Sequence, residues 1–248
     1  MSKCLIVTGG GRGIGAEVSR KAAKQGYSVC INFHRDQASA QKLVRKLKED
    51  EANALAYQAD LSQEEEVETL FQTVEKDLGT PEALVNNAGI LDLQTRVDGM
   101  NAERIQRIFA VNVTGSFLCA REAVKRMSTK YGGKGGSIVN LSSGAAKYGS
   151  PGEYVDYAAS KAAIDTLTIG LAKEVAEEGI RVNAVRPGFI DTEIHQSGGV
   201  PDCMEQVRPL VPMKRVGQAE EVADAIMWLL SDKASYTTGT ILDVSGGR

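Results

Sequence analysis

Seven short apolar runs recur along the chain, and longer segments with helical periodicity separate them. Apolar runs of this length are typical of buried strands, and strands that alternate with helices build crossover units in which the strands lie parallel. We therefore predict an α/β fold, a Rossmann-type doubly wound parallel sheet of seven strands flanked by helices on both faces. The predicted strands cover Leu5 to Val7, Val29 to Phe33, Ala54 to Tyr57, Ala83 to Val85, Ile138 to Leu141, Ile180 to Val185 and Ile241 to Val244.

The segments between the runs indicate where the first helices lie. Ile14, Val18 and Ala22 share one face of a predicted helix, and Gly26 stands where that helix needs a C-terminal stop. The stretch from Lys42 to Glu51 is rich in charge, and we interpret it as the solvated face of the next helix.

Two further patterns concern boundaries. Ser62 with Glu65 three residues later forms a capping-box pattern, which predicts that Ser62 caps a helix ending near Gly79. The glycines of Gly132 to Gly136 form a stretch short enough to be a loop before a strand, and no Pro/Ser-rich linker divides the sequence. We therefore expect residues 1–248 to form a single domain.

Charge and hydropathy narrow the range of partners. The formal net charge is -3, and the sequence has no dense run of Lys and Arg, so a nucleic-acid partner is not expected. No apolar stretch approaches the roughly 20 residues that cross a bilayer, so no membrane partner is expected. The N-terminus enters a predicted strand directly instead of a signal sequence, which predicts a cytoplasmic location.

The cysteines and histidines are too scattered to suggest a metal site or a redox pair. We expect reduced, mostly buried thiols and no bound metal. The residues concerned are Cys4, Cys30, Cys119 and Cys203, with His34 and His195.

A glycine-rich turn follows the first apolar run, and a helical segment begins before the turn ends. Glycines in a strand-to-helix turn let the backbone approach a pyrophosphate, and the free N–H groups and dipole of the helix start favour its negative charge. The turn therefore predicts a dinucleotide site at the first crossover. Its sequence is Thr8-Gly9-Gly10-Gly11-Arg12-Gly13-Ile14-Gly15.

The T-G-x-x-x-G-x-G spacing resembles that of the short-chain dehydrogenase/reductase family, in its short single-domain branch. Further blocks match in family order along essentially the whole chain, and the overall likeness is greatest to bacterial 3-oxoacyl-carrier-protein-reductase-like and glucose-dehydrogenase-like members. The blocks are Asn86-Asn87-Ala88-Gly89, Val111-Asn112-Val113, Ser142-Ser143, Tyr157-x-x-x-Lys161 and Pro187-Gly188.

The resemblance implies hydride transfer between a nicotinamide and a carbonyl or alcohol carbon, with Tyr157 as general acid and base. Tyr157 and Lys161 are four residues apart on one helical face, so we expect the ammonium to lower the pKa of the phenol. In the family the lysine also holds the nicotinamide ribose, a serine fixes the substrate oxygen, and an asparagine anchors a water on a proton path. Those roles fall to Lys161, to Ser143 in preference to Ser142, and to Asn112.

The same resemblance implies the remaining cofactor contacts. Asp60 matches an aspartate that contacts the adenine amino group, Asn87 and Gly89 are expected to border the adenine ribose, and Thr192 is expected near the carboxamide and pyrophosphate. The full predicted cofactor set is Thr8, Gly9, Gly11, Arg12, Gly13, Ile14, Gly15, His34, Arg35, Asp60, Leu61, Asn87, Ala88, Gly89, Tyr157, Lys161, Pro187, Gly188, Ile190 and Thr192.

The end of the second predicted strand bears on the choice of cofactor. NAD-specific relatives carry Asp where Phe33 stands, whereas Arg35 and Arg12 suit the 2′-phosphate of NADP. Asp36 would favour NAD if the strand were longer, but it is better interpreted as the cap of the next helix. We predict NADP(H), with NAD(H) as the alternative.

Several alternatives stay open at this point. A nucleotide-sugar epimerase would need a larger C-terminal domain, and a non-catalytic cofactor sensor often lacks the Tyr or Lys. Tyr154 either lines the substrate pocket or packs. Phe189 to Arg215 is predicted to be a mobile lid. The sequence does not define the substrate, and the candidates are 3-oxoacyl thioesters, a sugar such as glucose, and small ketones.

The family usually assembles as tetramers, so a homotetramer is expected by analogy. A stripe of small and apolar residues on one predicted helix is compatible with such an interface, although it could equally face the sheet. The stripe consists of Ala162, Ala163, Leu167 and Leu171.

Overall fold

The computed structural model describes residues 3–192, 205 and 207–248. Its strands are β1 (Cys4–Val7), β2 (Ser28–Phe33), β3 (Ala54–Gln58), β4 (Pro81–Asn86), β5 (Gly136–Leu141), β6 (Ile180–Pro187) and β7 (Ile241–Val244). They form one sheet in the order β3-β2-β1-β4-β5-β6-β7, and every neighbouring pair is parallel. The predicted fold class and all seven predicted strands are confirmed.

Helices cover both faces of this sheet. They are α1 (Gly13–Lys24), α2 (Gln37–Glu49), α3 (Glu64–Leu78), α4 (Ala102–Phe109), α5 (Gly115–Met127), α6 (Ala145–Tyr148), α7 (Val155–Val175) and α8 (Ala219–Leu230). Short 3₁₀ turns occur at Val97–Gly99, Thr129–Tyr131, Ala176–Glu178, Arg208–Leu210 and Asp232–Ala234. A π-helical turn, Ala110–Thr114, joins α4 to α5.

Two hydrophobic cores lie on opposite sides of the sheet, because successive strand residues point to opposite faces. Leu5 of β1 belongs to the core under α1, α2 and α8, whereas the next residue, Ile6, belongs to the core under α3, α5 and α7. Strands β1 and β2 are buried along their whole length, which explains why apolar residues occupy successive positions in them and do not alternate with polar ones.

The strand order reverses between β1 and β4, since β2 and β3 continue from one side of β1 and β5 to β7 from the other side of β4. Open α/β sheets bind ligands in the crevice outside the carboxyl ends of the strands at such a point. The carboxyl ends of β1 and β4 carry the glycine-rich turn and the Asn86-Asn87 block, so the topology brings these two segments together.

Two of the predicted helix starts have different outcomes. Asp36 caps α2, because its Oδ1 accepts a hydrogen bond from the Ser39 N–H at 3.0 Å, and this prediction is confirmed. Ser62 does not cap α3, and the capping-box prediction was wrong. The Ser62 hydroxyl donates to Asp60 Oδ1 at 2.8 Å instead, and the N-cap residue is Gln63. The end of the same helix at Gly79 is as predicted.

The charged stretch Lys42 to Glu51 is only partly a solvated face. Within α2, Leu43, Val44 and Leu47 are buried against the sheet, and the lysines and Arg45 between them are exposed. The helix ends at Glu49, before the predicted end of the stretch. Amphipathic packing therefore explains the segment better than exposure alone.

The small-residue stripe on α7 is divided in the structure. Leu167 is buried in the subunit, whereas Ala162, Ala163 and Leu171 are half-buried.

Across the described ranges 3–192 and 207–248, no helix is both long and apolar enough to cross a membrane. The predicted lid, Phe189 to Arg215, lies partly outside the described residues. Cys203 and His195 belong to the part that is not described. The other three cysteines, Cys4, Cys30 and Cys119, are buried free thiols.

Candidate active site

The glycine-rich turn is held in shape by side chains from three strand ends. Thr8 Oγ1 accepts from the N–H groups of Asn87 at 2.9 Å and Ala88 at 3.0 Å. The amide of Asn87 donates to the carbonyls of Thr8 at 2.9 Å and Gly9 at 3.0 Å. Asn32 accepts from the Gly9 N–H at 3.3 Å, a contact that the sequence pattern does not reveal. The shape of the turn is therefore set by side chains of three strand ends as well as by its own glycines.

These contacts change the interpretation of Asn87. Both hydrogens of its amide are used to hold the turn, so its side chain acts on the backbone and is not available as a donor to an adenine ribose. Thr8 and Ala88 belong to the same scaffold. Gly11 packs against Ala40 of α2, because a Cβ at Gly11 would lie 3.2 Å from the Ala40 nitrogen.

The start of α1 fits an anionic group. Its N-cap residue, Arg12, makes no side-chain cap, and its first turn, Gly13-Ile14-Gly15-Ala16, carries no acidic residue. Gly9 and Gly13 have φ angles of 59° and 51°, which glycine adopts without strain. A Cβ at Gly13 would meet only Thr192 among the described residues, at 3.5 Å, so the turn leaves room beside the helix N-terminus and Thr192 lies next to it.

The far end of β2 gathers the polar residues expected near the adenosine. His34 Nε2 lies 3.8 Å from Asp60 Oδ2, and Asp60 Oδ1 accepts from the Ser62 N–H at 3.0 Å. Leu61 is buried at the start of α5, where a Cβ on Gly115 would approach its side chain to 3.0 Å. The structure therefore brings His34 to Asp60, whereas Leu61 packs against the start of α5.

Arg12 and Arg35 are both exposed at this edge, and Asp36 lies between Arg35 and α2. The pKa of Asp36 is lowered by hydrogen bonds from the backbone and side chain of Ser39, and the positive charge of Arg12 lowers it further. Asp36 is therefore committed to capping α2. A carboxylate placed to receive a ribose hydroxyl is absent from the end of β2, where Phe33 stands buried.

Tyr157 and Ser143 meet at the carboxyl ends of β5 and β6. Tyr157 lies in the first turn of α7, and Ser143 follows β5. Burial raises the pKa of Tyr157, and a hydrogen bond from Ser143 partly offsets this rise. The neighbouring Ser142 is buried and donates to the Lys161 carbonyl at 3.2 Å, so it supports the helix. The two serines thus have different partners, and the catalytic role of Ser143 stays a prediction.

Lys161 is buried, with 4% of its surface exposed, and its Nζ donates to the Leu141 carbonyl at 2.7 Å. The Nζ lies 5.7 Å from the centroid of the Tyr157 ring. Burial lowers the pKa of Lys161 to about 8, and the charge of Asp165 opposes this effect. We expected Lys161 to lower the pKa of Tyr157. The net shift of the Tyr157 pKa is upward instead, because burial of the phenol outweighs the hydrogen bond from Ser143.

Gly89 lies beside Lys161. A Cβ at Gly89 would stand 3.3 Å from Lys161 Nζ and 3.5 Å from Asn112 Oδ1. The predicted contact of Gly89 with the adenine ribose stays a prediction. Any side chain here would crowd the lysine.

The burial of Lys161 has a consequence for stability that Lys161→Met would reveal. The unfolded chain holds the lysine proton up to about pH 10.5, whereas the folded protein releases it near 8. The unfolded state therefore binds more protons in this window, and stability rises with pH. We expect the free energy of unfolding of the wild type, relative to the variant, to increase by roughly 3 kcal/mol between pH 8 and 10.5. Urea unfolding across that range measures it, and a constant difference would show that the pKa is not lowered.

Asn112 occupies the π-helical turn and is fully buried. Its Nδ2 donates to the Ile90 carbonyl at 2.9 Å and to Ser160 Oγ at 3.0 Å, and its Oδ1 accepts from the Ile90 N–H at 2.8 Å. Asn112 thus fastens the segment after β4 to α7. Only the second lone pair of Oδ1 is left for a water, so the proton-path role stays a prediction.

The chain after β6 closes the site from another side. The Pro187 carbonyl accepts from the Gly144 N–H at 2.8 Å, and the Gly188 N–H donates to the Val244 carbonyl at 2.9 Å. Gly188 requires a small residue, because a Cβ there would lie 2.8 Å from Ser245 Cα. Ile190 is buried and pairs with Gly217 in a single parallel bridge.

Two arrangements near the site carry no sequence signal, because their members are far apart in the chain. Arg248 lies between two aromatic rings, with its guanidinium carbon 5.0 Å from the ring centroid of Tyr148 and 4.6 Å from that of Phe189. Arg104 forms a buried ion pair with Asp156, the residue before Tyr157. Neither contact could be predicted without the fold.

A glycine turn at the strand-order reversal, together with a Tyr, a Ser and a buried Lys at the neighbouring strand ends, defines a dinucleotide-dependent oxidoreductase of the Rossmann type. Comparison with known proteins gives the family. Residues 9–248 match the family model described as Enoyl-(Acyl carrier protein) reductase. The chain belongs to the short-chain dehydrogenase/reductase family, whose members are oxidoreductases that use a nicotinamide cofactor, and the resemblance found in the sequence is confirmed.

Three relatives show the range of this likeness. The chain is 55% identical to the "Uncharacterized oxidoreductase YgfF" of Escherichia coli (strain K12), and the match covers 98% of both chains. It is 40% identical to "3beta-hydroxysteroid dehydrogenase 1" of Eggerthella lenta, over 99% of this chain and 93% of the relative. It is 36% identical to "Glucose 1-dehydrogenase 2" of Bacillus subtilis (strain 168), over 99% and 94%.

Proposed function

We propose that this chain acts as a single-domain, NADP(H)-dependent oxidoreductase that moves a hydride between the nicotinamide and a carbonyl or alcohol carbon. The observation that carries the proposal is the contact of the Tyr157 hydroxyl with Ser143, beside the buried amine of Lys161. An acid and a hydrogen-bond donor are thus held together at the strand ends next to an anion-binding turn.

The residues present fit a dinucleotide. The N–H groups at the start of α1 and the open space at Gly13 suit the pyrophosphate, and Thr192 lies beside them. Lys161 would hold the nicotinamide ribose, with Pro187 and Gly188 shaping the floor under the ring. The bound cofactor supplies or accepts the hydride.

The chain's own residues handle the proton. As a carbonyl is reduced, negative charge develops on its oxygen, and the Tyr157 hydroxyl donates its proton there. The Ser143 hydroxyl donates a hydrogen bond to the same oxygen and fixes its position. The raised pKa of Tyr157 keeps the phenol protonated at neutral pH, which is the form that reduction needs. In the oxidation direction the same hydroxyl must first lose its proton. Stabilisation of the resulting phenolate by Lys161 and by the bound cofactor would therefore matter more in that direction.

The preference for NADP(H) rests on the end of β2. Phe33 offers no acceptor for a ribose 2′-hydroxyl, Asp36 is committed to its helix cap, and Arg12 and Arg35 both lie exposed at this edge. Two guanidinium groups favour a 2′-phosphate over a hydroxyl.

Arg35→Ala tests this preference. Loss of one charge-assisted contact, about 1.5–3 kcal/mol, is expected to raise the KM for NADPH by about tenfold or more and to leave the KM for NADH unchanged. Arg45→Ala, which removes an exposed arginine from α2, is the matched control and should alter neither value. Equal effects on NADPH and NADH would refute the assignment of Arg35 to the 2′-phosphate.

The reaction itself is tested by following NADPH absorbance over a panel of 3-oxoacyl thioesters, ketones and aldoses, with secondary alcohols and glucose assayed in the reverse direction with NADP. The relatives' names refer to a steroid hydroxyl and to glucose, so the panel needs both ring alcohols and sugars. Turnover that depends on Tyr157 supports the proposal. Binding of NADPH without turnover of any carbonyl or alcohol would favour a cofactor sensor.

Two sequence-based expectations remain predictions. The homotetramer is carried over from the family, and the division of the α7 stripe leaves Ala162, Ala163 and Leu171 half-buried, as an interface would need. The cytoplasmic location predicted from the sequence also stays a prediction.

A further inference from the structure

A buried ion pair holds the turn that carries Tyr157. Arg104 of α4 donates from Nε to Asp156 Oδ2 at 2.6 Å and from Nη2 to Asp156 Oδ1 at 3.3 Å. The two side chains are 10% and 2% exposed. The hydrogen bond to Asp156 raises the pKa of Arg104, which remains charged. A two-point contact between ionised groups fixes orientation as well as distance.

Each partner of the ion pair also holds backbone. Asp156 Oδ1 accepts from the Tyr157 N–H at 2.9 Å. Arg104 Nη1 donates to the Leu93 carbonyl at 2.6 Å. The pair therefore joins three segments: the loop after β4, helix α4 and the first turn of α7.

A second side chain that holds the backbone of Tyr157 lies three residues after it in α7. Ser160 Oγ donates to the Tyr157 carbonyl at 2.7 Å and accepts from Asn112 at 3.0 Å. Tyr157 thus lies between two anchors, which are the side chains of Asp156 and Ser160. Each anchor is hydrogen-bonded to the continuous helical segment formed by α4, the π-helical turn and α5. Because the direction of a helical side chain follows from the backbone of its own turn, these anchors set where the phenol points.

A buried ion pair at this position is expected to add little to the free energy of unfolding. Desolvation of two buried charges offsets much of their attraction, and well-packed apolar residues of similar volume often stabilise a fold as well or better. What the pair adds is a defined geometry at the residue before Tyr157.

We propose that Arg104 and Asp156 are positioning residues for the reaction, which hold the Tyr157 hydroxyl on Ser143 and in line with the substrate carbonyl. Neither side chain touches the reacting atoms. The inference rests on the proposed role of Tyr157, and it assigns the function of a residue pair outside the family motifs.

The test compares Arg104→Met, Asp156→Asn and the double variant R104M/D156N. Each single change leaves one buried charge uncompensated, so we expect Tm to fall by about 10 °C. The double variant removes both charges, and its Tm should return to within a few degrees of the wild type. In all three variants kcat is expected to stay about 100-fold low, whereas KM and the Kd for NADPH change less than about threefold.

Arg104→Lys keeps the charge but loses the two-point contact. It should lower kcat about tenfold with little change in Tm, since only the geometry is relaxed. The matched control is Arg107→Met, one turn along α4, because Arg107 is half-exposed and pairs with Asp92 in the loop. Its kcat should equal that of the wild type.

Recovery of kcat together with Tm in the double variant would overturn the proposal, since the pair would then only stabilise the fold. Tyr157→Phe is assayed in parallel. Full activity of Tyr157→Phe would refute the proposed chemistry itself, whereas an inactive Tyr157→Phe beside a fully active double variant would refute the positioning role alone.

Discussion

Replacing Tyr157 by Phe is expected to lower kcat about a thousandfold for any carbonyl that the protein reduces, within the range found for loss of a general acid. The substitution removes one hydroxyl and leaves the ring beside Lys161 in place. Binding of NADPH should therefore persist, with a Kd within about threefold of the wild type. Steady-state turnover and calorimetric titration with NADPH measure the two quantities separately.

Tyr154→Phe is the matched control, because it deletes the same atom three residues away in the residue that precedes α7. Its kcat should fall less than about threefold. If both variants lose activity alike, the phenols act through packing and the proton must come from elsewhere.

Gly15→Ala is expected to weaken NADPH binding about 100-fold, a loss of about 2.7 kcal/mol. A methyl group at Gly15 would stand 2.6 Å from Asn87 Nδ2 and 2.7 Å from the Gly9 carbonyl, two atoms that are hydrogen-bonded to each other. The turn has to open to admit it. Calorimetric titration with NADPH reports the change.

Gly170→Ala makes the same substitution within helix α7, where, apart from the chain neighbours and the backbone of that helix, no described residue has an atom within 4 Å of the new methyl group. There the Kd should be unchanged, and the protein should gain slightly in stability because alanine favours a helix. An unaltered Kd in Gly15→Ala would mean that the glycine turn does not hold the cofactor.

The sequence was sufficient for the parts of the fold that depend on local pattern. Apolar runs marked the strands because a parallel sheet is buried on both faces, and Asp36 and Gly79 were recognised because capping depends on the residue type. Ser62 failed as a cap since the neighbouring Asp60 competes for its hydroxyl, and a spacing rule does not include that competition.

For the active site, too, the sequence predicted some features and not others. Motif spacing was enough to bring Ser143, Tyr157 and Lys161 together, because each stands at a strand end or in the first turns of one helix. The direction of the Tyr157 pKa shift was not accessible, since it depends on how deeply the phenol is buried. The pairing of Arg104 with Asp156 spans 52 positions, and no local pattern encodes a contact of that range.

The π-helical turn Ala110–Thr114 also keeps the buried face of α5 in place. A π turn holds one residue more than an α turn, so it takes up a residue that would otherwise rotate α5 by about 100°. Such a rotation would carry Cys119, Ala123 and Met127, which pack under the sheet, toward solvent. A natural version of this chain with one residue fewer in this segment should therefore have a continuous α-helix here, with the same face of α5 under the sheet.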